Sequence, residues 1–89
     1  MIIVSQDKKQ IINFETINFI DIMPMDDGRF EIDANFAHCI TELGYYETEK
    51  RAKEVLQEIS EQYEYTETIK IERAALRVYD NFIYRMPKE

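Results

Sequence analysis

The sequence predicts an α+β fold: an antiparallel sheet of four to five strands covered on one face by one long amphipathic helix. A second short helix is expected near the C-terminus. Two observations carry this. Up to about residue 48, apolar and polar residues alternate, as in Phe30-Glu31-Ile32-Asp33-Ala34-Asn35-Phe36. Beyond it, apolar residues recur at helical spacing: Ala52, Val55, Leu56, Ile59, Tyr63. A period of two marks a half-buried sheet, and a period near 3.6 marks a helix able to cover it. With 89 residues the chain makes a single domain, 1–89. A chain this short buries little surface, so it favours a binding surface over a deep cleft.

The elements follow in order. Ile2-Ile3-Val4-Ser5 reads as a strand, Gln6 to Lys9 as a polar turn, and Gln10 to Phe14 as the partner strand. Ile17 to Met23 is β-rich, and Pro24, which has no N–H for a ladder, ends it. Asp26-Asp27-Gly28-Arg29 is the clearest hairpin turn. Phe30 to Phe36 follows, with Glu31, Asp33 and Asn35 on its predicted wet face. A further strand spans about His38 to Tyr46, with Gly44 marking a bulge. Thr48 suits a helix N-cap, and the helix is expected to run to about Tyr63. Glu49–Lys53 and Lys50–Glu54 have the i,i+4 spacing of ion pairs. Glu58, Glu61 and Glu64 oppose the dipole at its far end and call for basic partners. Ile71, Ala74, Ala75, Val78, Tyr79 and Phe82 fit a second helix, and Phe82 to Met86 a final strand before Pro87.

Composition narrows the function classes. The net charge of -7 argues against direct nucleic-acid or anionic-membrane binding. Residues 1–68 hold six Lys/Arg against fifteen Asp/Glu, whereas residues 69–89 hold five against three. The single cysteine excludes an intramolecular disulfide and points to a cytoplasmic chain. Nothing in the sequence reads as a signal peptide or a transmembrane segment. Thirteen isoleucines beside three leucines suit an AT-rich, low-GC bacterial or phage genome.

No constellation carries recognisable catalytic chemistry, and no cofactor is implied. His38 and Cys39 are neighbours on a predicted strand, so they would point to opposite faces. A buried small Cys and a rim His account for both. Asp21, Asp26, Asp27, Glu31 and Asp33 lack the spacing of a calcium loop, so no metal is predicted. Asp26, Asp27, Glu31 and Asp33 instead suggest an acidic surface for a basic protein partner. The alternative site is a nucleotide pocket. There Lys70, Arg73 and Arg77 form a basic stripe for phosphate, with a base stacked on Tyr45, Tyr46 or Tyr79. Pairing of that stripe with Glu58, Glu61 and Glu64 is its structural counterpart. The six tyrosines also offer interface area, and open sheet edges suggest a homo-oligomer.

Three stretches carry a resemblance: Met1-Ile2-Ile3-Val4-Ser5-Gln6-Asp7-Lys8-Lys9, Gly44 to Ile59, and Tyr84-Arg85-Met86-Pro87. They resemble small uncharacterised proteins of phages and mobile elements of low-GC Gram-positive bacteria. The resemblance touches about half the chain and brings no functional residues with it. It implies a non-enzymatic accessory role in a bacterial host cell, such as a counter-defence factor that inhibits a host protein.

Overall fold

Ile3 has no exposed surface: it faces the buried core from β1 (Ile2–Val4), which lies between two other strands. On one side β2 (Ile11–Asn13) pairs antiparallel with it, and on the other β6 (Ile83–Arg85) pairs parallel. The computed structural model describes residues 1–72 and 83–89, with the backbone alone for 69–72. A 3₁₀ turn, Phe14–Thr16, follows β2 and leads into a second sheet. That sheet is the meander β3 (Phe19–Pro24), β4 (Phe30–Asn35) and β5 (Ile40–Tyr46). Among the described residues, the single sheet expected from the alternation is therefore two sheets of three strands each. The physical reason is at Gln6. Its N–H makes one ladder-like bond, to Leu43 O at 2.8 Å, before the chain turns back toward β2. The C-terminal strand, distant in sequence, takes the place beside β1.

Turn chemistry behaves as expected. Gly28 has φ of 89°, a left-handed value that suits glycine, and the Met25 N–H donates to Arg29 O at 2.8 Å to close the hairpin. Where Ile32 of β4 faces Gly44, the register slips by one residue and Leu43 becomes the extra residue of a bulge. A Cβ on Gly44 would stand 3.0 Å from the Gln6 Cβ, so glycine permits the close approach that joins the two sheets.

Thr48 caps the helix as expected: its Oγ1 accepts the Arg51 N–H at 3.0 Å. Helix α1 (Glu49–Glu72) is 24 residues long, however, and continues well past Tyr63. Four residues placed in or before the expected second helix, 69–72, extend α1; the remainder, 73–82, lies outside the described residues. Lys53 pairs with Glu49 at 2.9 Å, whereas Glu54 takes Arg51 at 3.3 Å rather than the expected Lys50. α1 packs on the β3–β4–β5 sheet, joining Ala52, Val55 and Ile59 to Ile32, Ala34, Leu43 and Tyr46 in one buried cluster. Leu56, expected at its centre, is half-buried at the margin. No helix among the described residues is long and apolar enough to cross a membrane.

The C-terminal residues are tied down from several directions. Arg51 Nε donates to Glu89 O at 2.9 Å, and the Tyr46 hydroxyl donates to Pro87 O at 2.8 Å. Burial pushes the Tyr46 phenol up to about 12. Glu58 accepts from Arg51 and from the Tyr84 hydroxyl, and Glu61 accepts from Gln57. These are partners the sequence had sought in the basic stripe.

Candidate functional site

The β4 residues that alternate away from α1 look out from the second sheet, and its register gathers acids there. Asp21 of β3 pairs across to Asp33 of β4, which pairs to Glu42 of β5. The next row holds Met23, Glu31 and Tyr45, and the row on the other side holds Phe19, Asn35 and Ile40. Four carboxylates from three strands thus share one sheet face. Around them stand apolar side chains open to solvent: Phe19 at 58%, Met23 at 45% and Ile40 at 66% exposure.

Glu31 and Asp33 were expected in water, but they are only 7% and 6% exposed. They sit on the central strand, so long side chains from both neighbours lean over them. Tyr45, opposite Glu31, reaches along β5 and donates its hydroxyl to Glu42 Oε2 at 2.7 Å. The Arg29 guanidinium carbon lies 4.5 Å from the Tyr45 ring centre and adds a second layer. Asn35 is bonded inward too, its amide donating to Asp21 Oδ1 at 3.0 Å.

The electrostatics follow from that crowding. Burial, then Glu31 beside it, pushes the Asp33 carboxyl up to about 7, with Asp21 and Glu42 adding to the effect. Glu31 Oε1 and Asp33 Oδ1 are buried without a donor. A proton held by Asp33 answers both facts, because it supplies a donor to Glu31. The Tyr45 phenol is held well above its usual value by bonding to Glu42 and Glu31.

The other predicted residues disperse. Asp26 and Asp27 are exposed at the β3–β4 hairpin turn. Asp27 is occupied locally, accepting the Arg29 N–H at 3.0 Å and Arg29 Nε at 2.8 Å, which holds its carboxyl below the usual range. Tyr45 and Tyr46 point to opposite faces of β5, Tyr46 into the core, so they do not line one pocket. The Lys70 side chain, Arg73, Arg77 and Tyr79 lie outside the described residues. His38 and Cys39 fall in the turn before β5, and Cys39 is exposed rather than buried, because the Phe36 N–H bonds Cys39 O and bends the chain away from the sheet. No group of three or more His, Cys, Asp or Glu among the described residues has metal-binding geometry.

Glu42 was the member the sequence missed. The bulge at Leu43 reverses the alternation along β5, so simple counting does not place Glu42 and Tyr45 on one face. Comparison with known proteins finds no match: no protein-family model, curated protein or solved structure aligns with the chain at a significant level.

Proposed function

We propose that the chain is a non-enzymatic binding protein whose outer sheet face engages a basic protein partner. One observation carries the reading: Asp21, Glu31, Asp33 and Glu42 form a single acidic field rimmed by exposed Phe19, Met23 and Ile40. Apolar anchors around a charged centre supply affinity, while the charge selects the partner and steers encounter. Asp26 and Asp27 extend the negative field beyond the sheet. In a phage or mobile-element setting, such a surface suits a counter-defence factor that occupies the basic groove of a cytoplasmic host protein. Self-association is proposed separately, at β2, the outer strand of the first sheet, where Ile11 is 74% exposed. The nucleotide alternative draws support from no described residue, since Tyr45 and Tyr46 diverge.

The test is capture from a lysate of a low-GC Gram-positive bacterium. Parent chain is compared with an Asp21→Lys/Glu42→Lys double variant and with Glu54→Lys on the helix as a charge control. The expected result is a partner retained by parent and helix control, lost with the sheet variant, and released as salt rises. Equal capture by all three, or loss only with the helix variant, refutes the outer face.

A further inference from the structure

We infer that β3 is a docking edge, to which the partner adds an extended segment of alternating basic and apolar residues as a fourth strand. This rests on the acidic-face reading above and specifies how the partner is held.

The two edges of the β3–β4–β5 sheet are treated differently. The β5 edge is occupied at Leu43 and Tyr45 by Gln6, whose side-chain amide imitates a strand: Nε2 donates to Tyr45 O at 2.9 Å, and Oε1 accepts the Tyr45 N–H at 2.8 Å. Among the described residues, no strand lies beyond β3. An edge strand presents alternate N–H and C=O groups outward, a template for another chain. β3 offers five residues of it before Pro24, the sixth, ends the run of donors.

The surroundings of that edge differ above and below, which fixes the chemistry of the incoming strand. On the helix side, Phe14, Ile17, Ile20, Leu56, Ile59 and Tyr63 line an apolar groove of about 320 Å³. Phe14 and Tyr63 form its wall, with ring centres 4.6 Å apart. On the outer side lie Asp21 and, behind it, Asp33. Side chains of a strand alternate between faces, so one set enters the groove and the other meets the carboxylates. Charge complementarity makes that second set basic: residues 10–47 hold eight Asp/Glu against Arg29 as the sole Lys or Arg. A second copy of β3 is a poor occupant, because it would set acidic strands side by side on one face.

The experiment uses the full chain and a synthetic hexapeptide of alternating Lys and Val, capped at both ends. Amide hydrogen exchange is followed by NMR. In the free chain, alternate β3 amides should exchange quickly, and saturating peptide should slow them by about tenfold or more. A peptide N-methylated at alternate residues keeps its charge and apolarity but cannot complete the ladder. It should bind at least about tenfold more weakly, as should the unmodified peptide to Asp21→Lys. The proposal is overturned if all β3 amides are already protected in the free chain, or if no binding is seen at millimolar peptide. Equal binding of the N-methylated peptide, or of a Glu/Val analogue, overturns it as well. Shifts confined to Tyr45 and Ile40 remove strand addition while sparing the outer face. Protection of β3 by the peptide without partner capture sustains the docking edge and removes the proposed partner.

Discussion

Glu31 and Asp33 stand two residues apart on one face of β4, both more than nine-tenths buried, each with an oxygen that has no donor. Two carboxylates in that position cannot both ionise cheaply. Each charge raises the cost of the other, and burial raises the cost of both. A stretch that reads as ordinary solvated alternation is therefore the most strained electrostatic feature of the described chain.

Stability should consequently fall as pH rises through neutrality at this site. The Asp33 carboxyl is raised in the folded chain from 3.8 to about 7. Between those values the folded chain holds a proton that the unfolded chain has released, so raising pH favours unfolding. The contribution is fully present below about pH 4 and is lost by pH 8. Asp33→Asn keeps the shape and donates without ionising. It should stabilise the chain by about 1–3 kcal/mol at pH 8, with the gain vanishing toward pH 4. Denaturant melts of parent and variant at several pH values read this directly. A destabilised variant at pH 8, or a difference independent of pH, would contradict a proton held by Asp33.

Tyr45→Phe tests the same network from its donor end. Removing the hydroxyl takes away the bond to Glu42 and the contact with Glu31. Glu31 then loses a donor on its side away from Asp33 and turns more fully toward it, so Asp33 should hold its proton more tightly. Carbon-detected NMR titration of the Asp33 carboxyl should show a further upward shift, with a stability loss of about 1 kcal/mol. An unmoved titration would mean that the phenol is only a cover.

Truncation should rank the helix contacts by burial. Ile59→Ala, at 2% exposure, should cost about 2–5 kcal/mol, and Leu56→Ala clearly less because its side chain is only half-buried. Equal losses in thermal melts would place Leu56 back in the core. Val55, Leu56 and Ile59 all fit the apolar stripe. The period of the pattern told which face turns inward, but not which residue of that face lies over β4. The hairpin at Gly28, the Thr48 cap and the last strand were legible because each depends on one or two local residues. The split into two sheets was not, since it depends on β6 reaching β1 across almost the whole chain.

The candidate site was legible only in part, for a related reason. Glu31 and Asp33 share a face by simple alternation, which the sequence displays. Their burial depends on what Tyr45 and Met23 do on the neighbouring strands, and that depends on register. Asp21 enters the row through pairing alone, and Glu42 enters through a bulge.

The exposed edge of the first sheet makes its own prediction. β2 presents Ile11, and self-association there should strengthen with concentration in sedimentation velocity. Ile11→Lys places a charge on that edge, a common protection against pairing, and should yield a monomer with unchanged thermal stability. A parent chain that stays monomeric at high micromolar concentration would refute the pairing.

The join between the two sheets should be sensitive out of proportion to its size. Gln6 is half-buried, yet its amide serves Tyr45 N and O, Pro87 O and Lys88 O at 2.8 to 3.2 Å. Gln6→Ala leaves the Tyr45 N–H without its acceptor at a partly buried site, and should cost about 1–3 kcal/mol. Gln6→Glu keeps the acceptor but removes the donor that holds both Tyr45 O and the C-terminal carbonyls. It should destabilise nearly as much and loosen Met86 to Glu89 as well. Gly44→Ala acts from the opposite side, driving a Cβ to 3.0 Å from Gln6 Cβ, which is anchored to the backbone and has little room to yield. Because both changes open one junction, Gln6→Ala and Gly44→Ala together should cost less than the sum of their separate effects. Strict additivity in equilibrium melts would show that the sheets are held together elsewhere.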